Sequence, residues 1–217
     1  MTEQFTLVQQ IAIWTIPMLF AITGHEAAHA WAALRLGDRT AYKMGRVTLN
    51  PIKHIDLIGT IILPLMMVIL QTGFIFGWAK PVPINPHNFK NTQRDMALTA
   101  LAGPGANLLM AIFWWAIIKL SMLLQPTFQQ TEFLMYVGNA GIIINIGLMV
   151  LNMLPILPLD GGRVLCGMLP SDLARSFGKL EPFGLLILIG LLISGWLEKL
   201  LFPIIKFIYQ SFIWLLL

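Results

Sequence analysis

Thr23-Gly24-His25-Glu26-Ala27-Ala28-His29-Ala30-Trp31 stands near the end of an apolar segment that runs from roughly Phe5 to Leu34. On an α-helix each residue turns by about 100°, so positions four apart lie about 40° from each other and one turn higher. His25 and His29 therefore leave one helix face and can hold a single metal ion. Glu26 sits about 100° round from His25, where its carboxylate reaches a water on that metal rather than the metal itself. Zinc hydrolysis needs this division of labour: neutral imidazoles as ligands, an open coordination position, and a carboxylate to take the water's proton. The other reading is two packed histidines and a buried carboxylate. Within a membrane that arrangement is costly, and ionisable groups there mark function. Two ligands are too few for a catalytic zinc, so a third must come from elsewhere in the chain.

The solvent of this motif follows from composition. The chain has 217 residues, 57% of them hydrophobic and 11% charged, with a mean hydropathy of +0.77. Several apolar stretches reach the length of a bilayer span, which predicts an all-α polytopic membrane protein of about five or six transmembrane segments. The first stretch has no basic leader and carries the metal motif, so it is expected to stay in the mature chain. A single membrane-embedded domain over 1–217 is expected, with a catalytic core at about 5–165 and C-terminal helices at about 183–217. The one cysteine, Cys166, excludes an internal disulfide and a cysteine-based metal site. The basic residues are scattered rather than gathered into an aromatic-lined patch, which speaks against nucleic acid as a partner. Membrane lipid surrounds such a chain.

The first helix is expected from near Thr6 to about Leu36, ended by Gly37-Asp38. Thr6 to His25 spans about 29 Å at 1.5 Å per residue, which places the metal towards the membrane face where this helix exits. Residues 41–49 alternate roughly and read as a short strand. A second apolar piece, Ile55–Leu70, is interrupted by Pro64, and Thr72–Asn85 is rich in Gly, Pro and aromatics without helical character. Further helices are expected from about Thr92 to Leu124 and from about Glu132 to Leu154. A polar stretch follows over 161–182, then an apolar end broken near Ser194-Gly195.

Charge orders these segments. Residues 35–54 hold five Lys/Arg, 80–94 hold three and 161–182 hold three, while 121–131 hold none. The positive-inside rule puts the three basic stretches and the site towards the cytoplasmic face. The piece from Ile55 to Asn85 then enters and returns on one side, as a re-entrant helix and small membrane-embedded β-hairpin. Non-helical backbone at that depth must be buried in protein or line a wet cavity. The same geometry brings Asp160 to the depth of His29, because the helix before it exits on the same side. Asp160 is thus the candidate third ligand, with Pro155 and Pro158 stopping that helix and Gly161-Gly162 allowing a sharp turn. An ordinary turn aspartate is the alternative.

Taken together, His25-Glu26-x-x-His29, Asn50-Pro51-x-x-His54-x-Asp56-x-x-Gly59-Thr60, Gly77-x-Ala79-Lys80-Pro81-Val82, Ala102-Gly103-Pro104-x-x-Asn107 and Asn152-x-x-Pro155-x-x-Pro158-Leu159-Asp160-Gly161-Gly162 resemble the site-2 proteases. These are zinc intramembrane metalloproteases, here in the compact form without PDZ or CBS domains. The resemblance covers roughly 20–165, in order. It implies one zinc on His25, His29 and Asp160, with Glu26 as general base. It also implies a transmembrane protein as substrate, with room for a regulatory partner of unknown kind.

By the same resemblance Asn152, expected about two turns before Asp160 on one helix, binds the substrate carbonyl or oxyanion; an interhelical hydrogen bond is the alternative. For Asn107 and Asn145 the interhelical bond is the favoured reading. His54 either becomes a fourth zinc ligand in a resting state or fixes its loop through hydrogen bonds, and His87 is expected to be solvated. The Thr72–Pro83 stretch offers either an open strand edge for an unwound substrate or a structural plug. A second functional class is a catalytically silent adaptor that binds membrane helices; it would need neither Glu26 nor Asp160.

Overall fold

The computed structural model of the chain describes residues 5–62, 66, 79–124 and 130–216. Helix α1, Leu7–Arg35, starts on a capping box: the Thr6 hydroxyl accepts from Gln9 N–H while the Gln9 side chain accepts from Thr6 N–H. It ends where Gly37 takes a φ of 112°, a conformation that favours glycine. Then come α2 (Thr40–Lys43), α3 (Thr92–Leu124), α4 (Gln130–Asn152), α5 (Asp160–Met168), α6 (Ser171–Gly178), α7 (Gly184–Ile193) and α8 (Trp196–Trp214). Among the described residues four stretches are long and apolar enough to cross a membrane: Val8–Arg35, Thr92–Leu123, Thr131–Asn152 and Ser171–Ile193. Glu198, Lys199 and Lys206 keep α8 out of that group.

The core lies between α1, α3 and α4. Ile13, Ala111, Trp114, Ile118, Ala140, Ile142 and Ile146 are buried there, with Ile205, Tyr209 and Phe212 of α8 packed alongside. Apolar side chains gain little from leaving lipid, so close packing and polar ties carry the association. A Cβ on Gly141 would strike the Trp114 ring, and one on Gly138 would strike Ile118. Those two glycines let α3 and α4 approach. Tyr209 donates to the Asn139 side chain at 2.7 Å and fastens α8 to α4.

Three sequence expectations change. Residues 41–49 form no strand. Asp38 caps Thr40 N–H at 2.9 Å and starts the turn of α2, and Gly45, at a φ of 63°, closes it. Alternation without a pairing partner does not make a strand. Secondly, Asp160 does not continue the helix of Asn152. Residues 153–159 are non-helical, and Asp160 opens the new helix α5. Thirdly, Gly161 and Gly162 form no turn but lie within α5. A Cβ on Gly161 would meet the Met153 and Leu154 carbonyls, and one on Gly162 the backbone of Ile156 and Leu157. Close approach, not a reverse turn, is what these glycines permit. No strand occurs among the described residues; of the expected re-entrant hairpin, Pro64 and Thr72–Trp78 lie outside them, while Leu57–Ile62 is a wide helical turn.

Asp38 ties the turn after α1 to the segment before α3. It is 0% exposed. Its Oδ1 accepts from Thr40 N–H and from the Asn88 amide at 2.7 Å, and its Oδ2 from Asn85 N–H at 2.8 Å. Burial pushes this carboxyl up, but the hydrogen bonds from Thr40, Asn88 and Asn85 prevail and hold it below its ordinary 3.8. A depressed carboxylate stabilises the fold above its ordinary pKa, and that contribution is lost as pH falls through the folded value. Asp38→Asn places an amide NH₂ where an acceptor is needed and should cost about 1–3 kcal/mol at neutral pH. Thermal unfolding in detergent checks this. The gap to wild type should narrow on acidifying through and below the ordinary carboxylate value.

Candidate metal centre

His25 and His29 project from α1 towards α3 and α5. Their Nε2 atoms are 3.0 Å apart, and Asp160 Oδ2 lies 3.2 Å from the first and 3.3 Å from the second. The rings stand almost perpendicular, at 88°. Only 10%, 9% and 12% of the three side chains is exposed. Among the described residues this is the one group of three or more potential metal-ligating side chains close enough to share an ion.

The surroundings set the protonation. His25 Nδ1 is 2.6 Å from Asn107 Oδ1, and His29 Nδ1 is 2.7 Å from the Thr99 carbonyl. Asn107 must present its oxygen, because its Nδ2 donates to Asn145 Oδ1 at 3.0 Å and to Ala21 O at 3.4 Å. Asn145 is oriented in turn by donating to Gly141 O at 2.8 Å. Both imidazoles therefore carry their proton on Nδ1, and both Nε2 lone pairs face Asp160. Asp160 turns the same oxygen, Oδ2, to both rings, and that oxygen has no hydrogen-bond partner.

Three lone pairs thus converge in a protein interior. One proton satisfies one pair of them; a divalent cation satisfies all three. Tetrahedral zinc with bonds of about 2.0–2.2 Å would hold its ligand atoms roughly 3.3–3.6 Å apart, close to the 3.2 and 3.3 Å between Asp160 and the two histidines. Gly103 of α3 supplies the room, since a Cβ there would run into the His25 and His29 rings. The residues fit zinc.

Glu26 lies beside this group, and its Oε2 accepts the Val82 N–H at 2.9 Å. Asn152 is half-buried at the last position of α4 and donates to Leu148 O at 3.0 Å, a bond within its own helix. His54 is not part of the metal group. It is 1% exposed and its Nε2 bonds the Thr48 carbonyl at 2.9 Å, so it fixes its loop. His87 is exposed, as expected.

Sequence reasoning expected interhelical bonds from Asn107 and Asn145 but missed that they end on His25. The available signal was spacing. Thr99, Gly103 and Asn107 recur every four residues on α3, a polar and small line within the apolar stretch that follows Asp95. Asn107→Ala or Asn145→Ala should lower zinc affinity by about 10–100-fold, the usual effect of losing a ligand's outer partner. Zinc retained against a graded chelator series reads this directly. Gly103→Ala should lose zinc altogether.

No protein-family model matches the chain, and no solved structure does. Among curated proteins it is 34% identical over 197 residues to "Putative zinc metalloprotease YwhC" of Bacillus subtilis, an alignment covering 88% of this chain and 84% of the relative. To "Putative zinc metalloprotease Rip2" of Mycolicibacterium smegmatis it is 30% identical over 194 residues, 88% of this chain and 71% of that one. To the protein of that name from Mycobacterium tuberculosis it is 27% identical over 204 residues, 94% and 73%.

Proposed function

Because the chain belongs to the site-2 protease family of zinc metalloproteases, we propose that it is a zinc-dependent endopeptidase that hydrolyses peptide bonds in or near the transmembrane helices of other membrane proteins. The observation that carries this is the convergence of His25, His29 and Asp160 beside Glu26, in a chain whose described residues include four apolar stretches fit to span a bilayer.

Bound zinc supplies Lewis acidity and lowers the pKa of water, with a coordination position left open by three protein ligands. The protein's own groups do the rest. Glu26 takes the proton of the attacking water and returns it to the nitrogen of the leaving amine. Asn107 and the Thr99 carbonyl hold the two imidazoles in the tautomer that leaves Nε2 free. Asn152 is the candidate donor to the substrate carbonyl. For that role its amide must leave the Leu148 carbonyl.

The charge pattern supports a site near the cytoplasmic face, reached laterally between helices by the substrate and from the cytoplasm by water. Arg46 is 5% exposed, so it adds little to that pattern; Arg35, Arg39, Lys43 and Lys53 are exposed or partly so. A gating partner is compatible with this arrangement, as are five or six segments once the re-entrant piece is counted.

Glu26→Gln should keep its zinc and lose cleavage of a panel of single-span membrane proteins in lipid by about a hundredfold to ten-thousandfold. Metal content is assayed beside turnover. A variant as active as wild type would remove Glu26 from the mechanism. Wild-type protein that binds zinc and cleaves nothing in the panel would favour the adaptor.

A further inference from the structure

Among the polar residues buried outside the metal group are Asp38 at 0%, Arg46 at 5% and His54 at 1% exposure. Hydrolysis as described above uses none of them. All three act on one segment, Lys80-Pro81-Val82-Pro83-Ile84-Asn85. Arg46 Nη2 donates to the Lys80 carbonyl at 2.7 Å and reaches the Pro81 carbonyl at 3.4 Å. Lys80 N–H donates to the His54 carbonyl at 2.9 Å, and the His54 ring is itself held on Thr48 O. Asn85 N–H donates to Asp38 Oδ2 at 2.8 Å. Lys80 and Asn85 are thus pinned, and Val82 between them packs against Ala30 of α1, with Ala41, Val47 and Ile84.

Two prolines shape what this strap offers. Pro81 and Pro83 have no N–H, so between Lys80 and Ile84 the Val82 amide is the one backbone donor. It points at Glu26 Oε2, 2.9 Å away. A charged arginine is buried on backbone carbonyls, and its Nε is left without a hydrogen-bond partner, a costly arrangement. Anchoring a loop alone does not require it. Fixing one N–H against a carboxylate does.

We propose that Arg46, His54 and Asp38 are positioning residues for Glu26: they hold the strap so that Val82 N–H binds Oε2 and leaves Oε1 for the reacting water. The bond restrains the carboxylate from swinging onto the metal. This inference rests on the reading of Glu26 as general base, and its test separates the two.

In zinc-loaded full-length protein in lipid, Arg46→Ala should lower kcat by about tenfold to a hundredfold, the worth of one charge-assisted hydrogen bond. KM and zinc content should stay within about twofold, since neither ligands nor substrate contacts are touched. Arg46→Lys keeps a donor to the Lys80 carbonyl and should recover most of the loss. His54→Ala keeps the carbonyl that accepts from Lys80 N–H but releases it from the anchor on Thr48 O; it should lower kcat in the same sense, which covers the case in which Arg46→Ala does not fold. A merely structural strap predicts lower thermal stability with unchanged kcat per zinc-loaded enzyme. A substrate-binding strap predicts raised KM at constant kcat. Either result overturns the proposal.

Hydrogen exchange over residues 79–86 tests the contact without activity. Glu26→Ala should speed exchange of one amide there by about tenfold or more, and unchanged exchange overturns the proposal. If the wild-type chain cleaves nothing, the protease reading fails alone and the exchange result decides the strap.

Discussion

His25 Nε2, His29 Nε2 and Asp160 Oδ2 are held within 3.3 Å of one another inside a mostly apolar bundle, and most of the interior answers to that constraint. In a medium of low dielectric, lone pairs set face to face without a cation are strongly unfavourable, and so is any proton in the wrong place. Each imidazole is consequently held on its far side by an oxygen, Asn107 Oδ1 or Thr99 O. The first of these is oriented by Asn145, and Asn145 by a backbone carbonyl. The chain of donors ends on a group that cannot flip, so the orientation at the metal site is inherited from the helix backbone. Gly103 completes the arrangement by being small.

The candidate third ligand arrives by a different route. Asp160 sits on the short helix α5, which spans nothing, so α5 must be fixed in place by its packing. Gly167 lets α5 lie against Ala97 of α3. Gln93 caps the end of α5, donating to the Cys166 and Leu169 carbonyls at 2.8 and 2.5 Å. On its other side the 153–157 backbone rests on Gly161 and Gly162, and Gly184 of α7 leaves room for the Leu157 carbonyl. Backbone-to-backbone contact of this kind has little freedom to slide, which suits an aspartate that must meet two histidines from a distant helix.

The long helices were legible because their limits are written in local chemistry. The box of Thr6 with Gln9 opens α1, Gly37 ends it, and apolar runs bound α3 and α4. The pairing of His25 with His29 was legible for the same reason, since a four-residue spacing on a helix is geometry. What escaped depends on contacts between segments. The alternation over 41–49 suggests a strand until Asp38, reaching to Asn85 and Asn88, turns its beginning into a helical cap. Asn152 and Asp160 seemed to share one helix because eight residues make about two turns, but Pro155 and Pro158 prevent it. The partners of His29 and Glu26 are a carbonyl and an amide of the main chain, and main-chain groups have no letter of their own in the sequence.

Residues four apart on α1 meet residues four apart on α3: His29 faces Thr99, both histidines border Gly103, and His25 meets Asn107. The two helices therefore run antiparallel through the site, one presenting the histidines and the other presenting what sets their protons. A slip of one residue would turn either face by about 100°. Asn107 would then leave His25, and a side chain would replace Gly103 against the rings. Packing of Trp114 and Ile118 on the α4 glycines resists such a slip from further along the same helix. The apolar core of this bundle thus has a polar purpose: it holds the register in which two imidazoles keep their protons on the outer nitrogen and turn their lone pairs to Asp160.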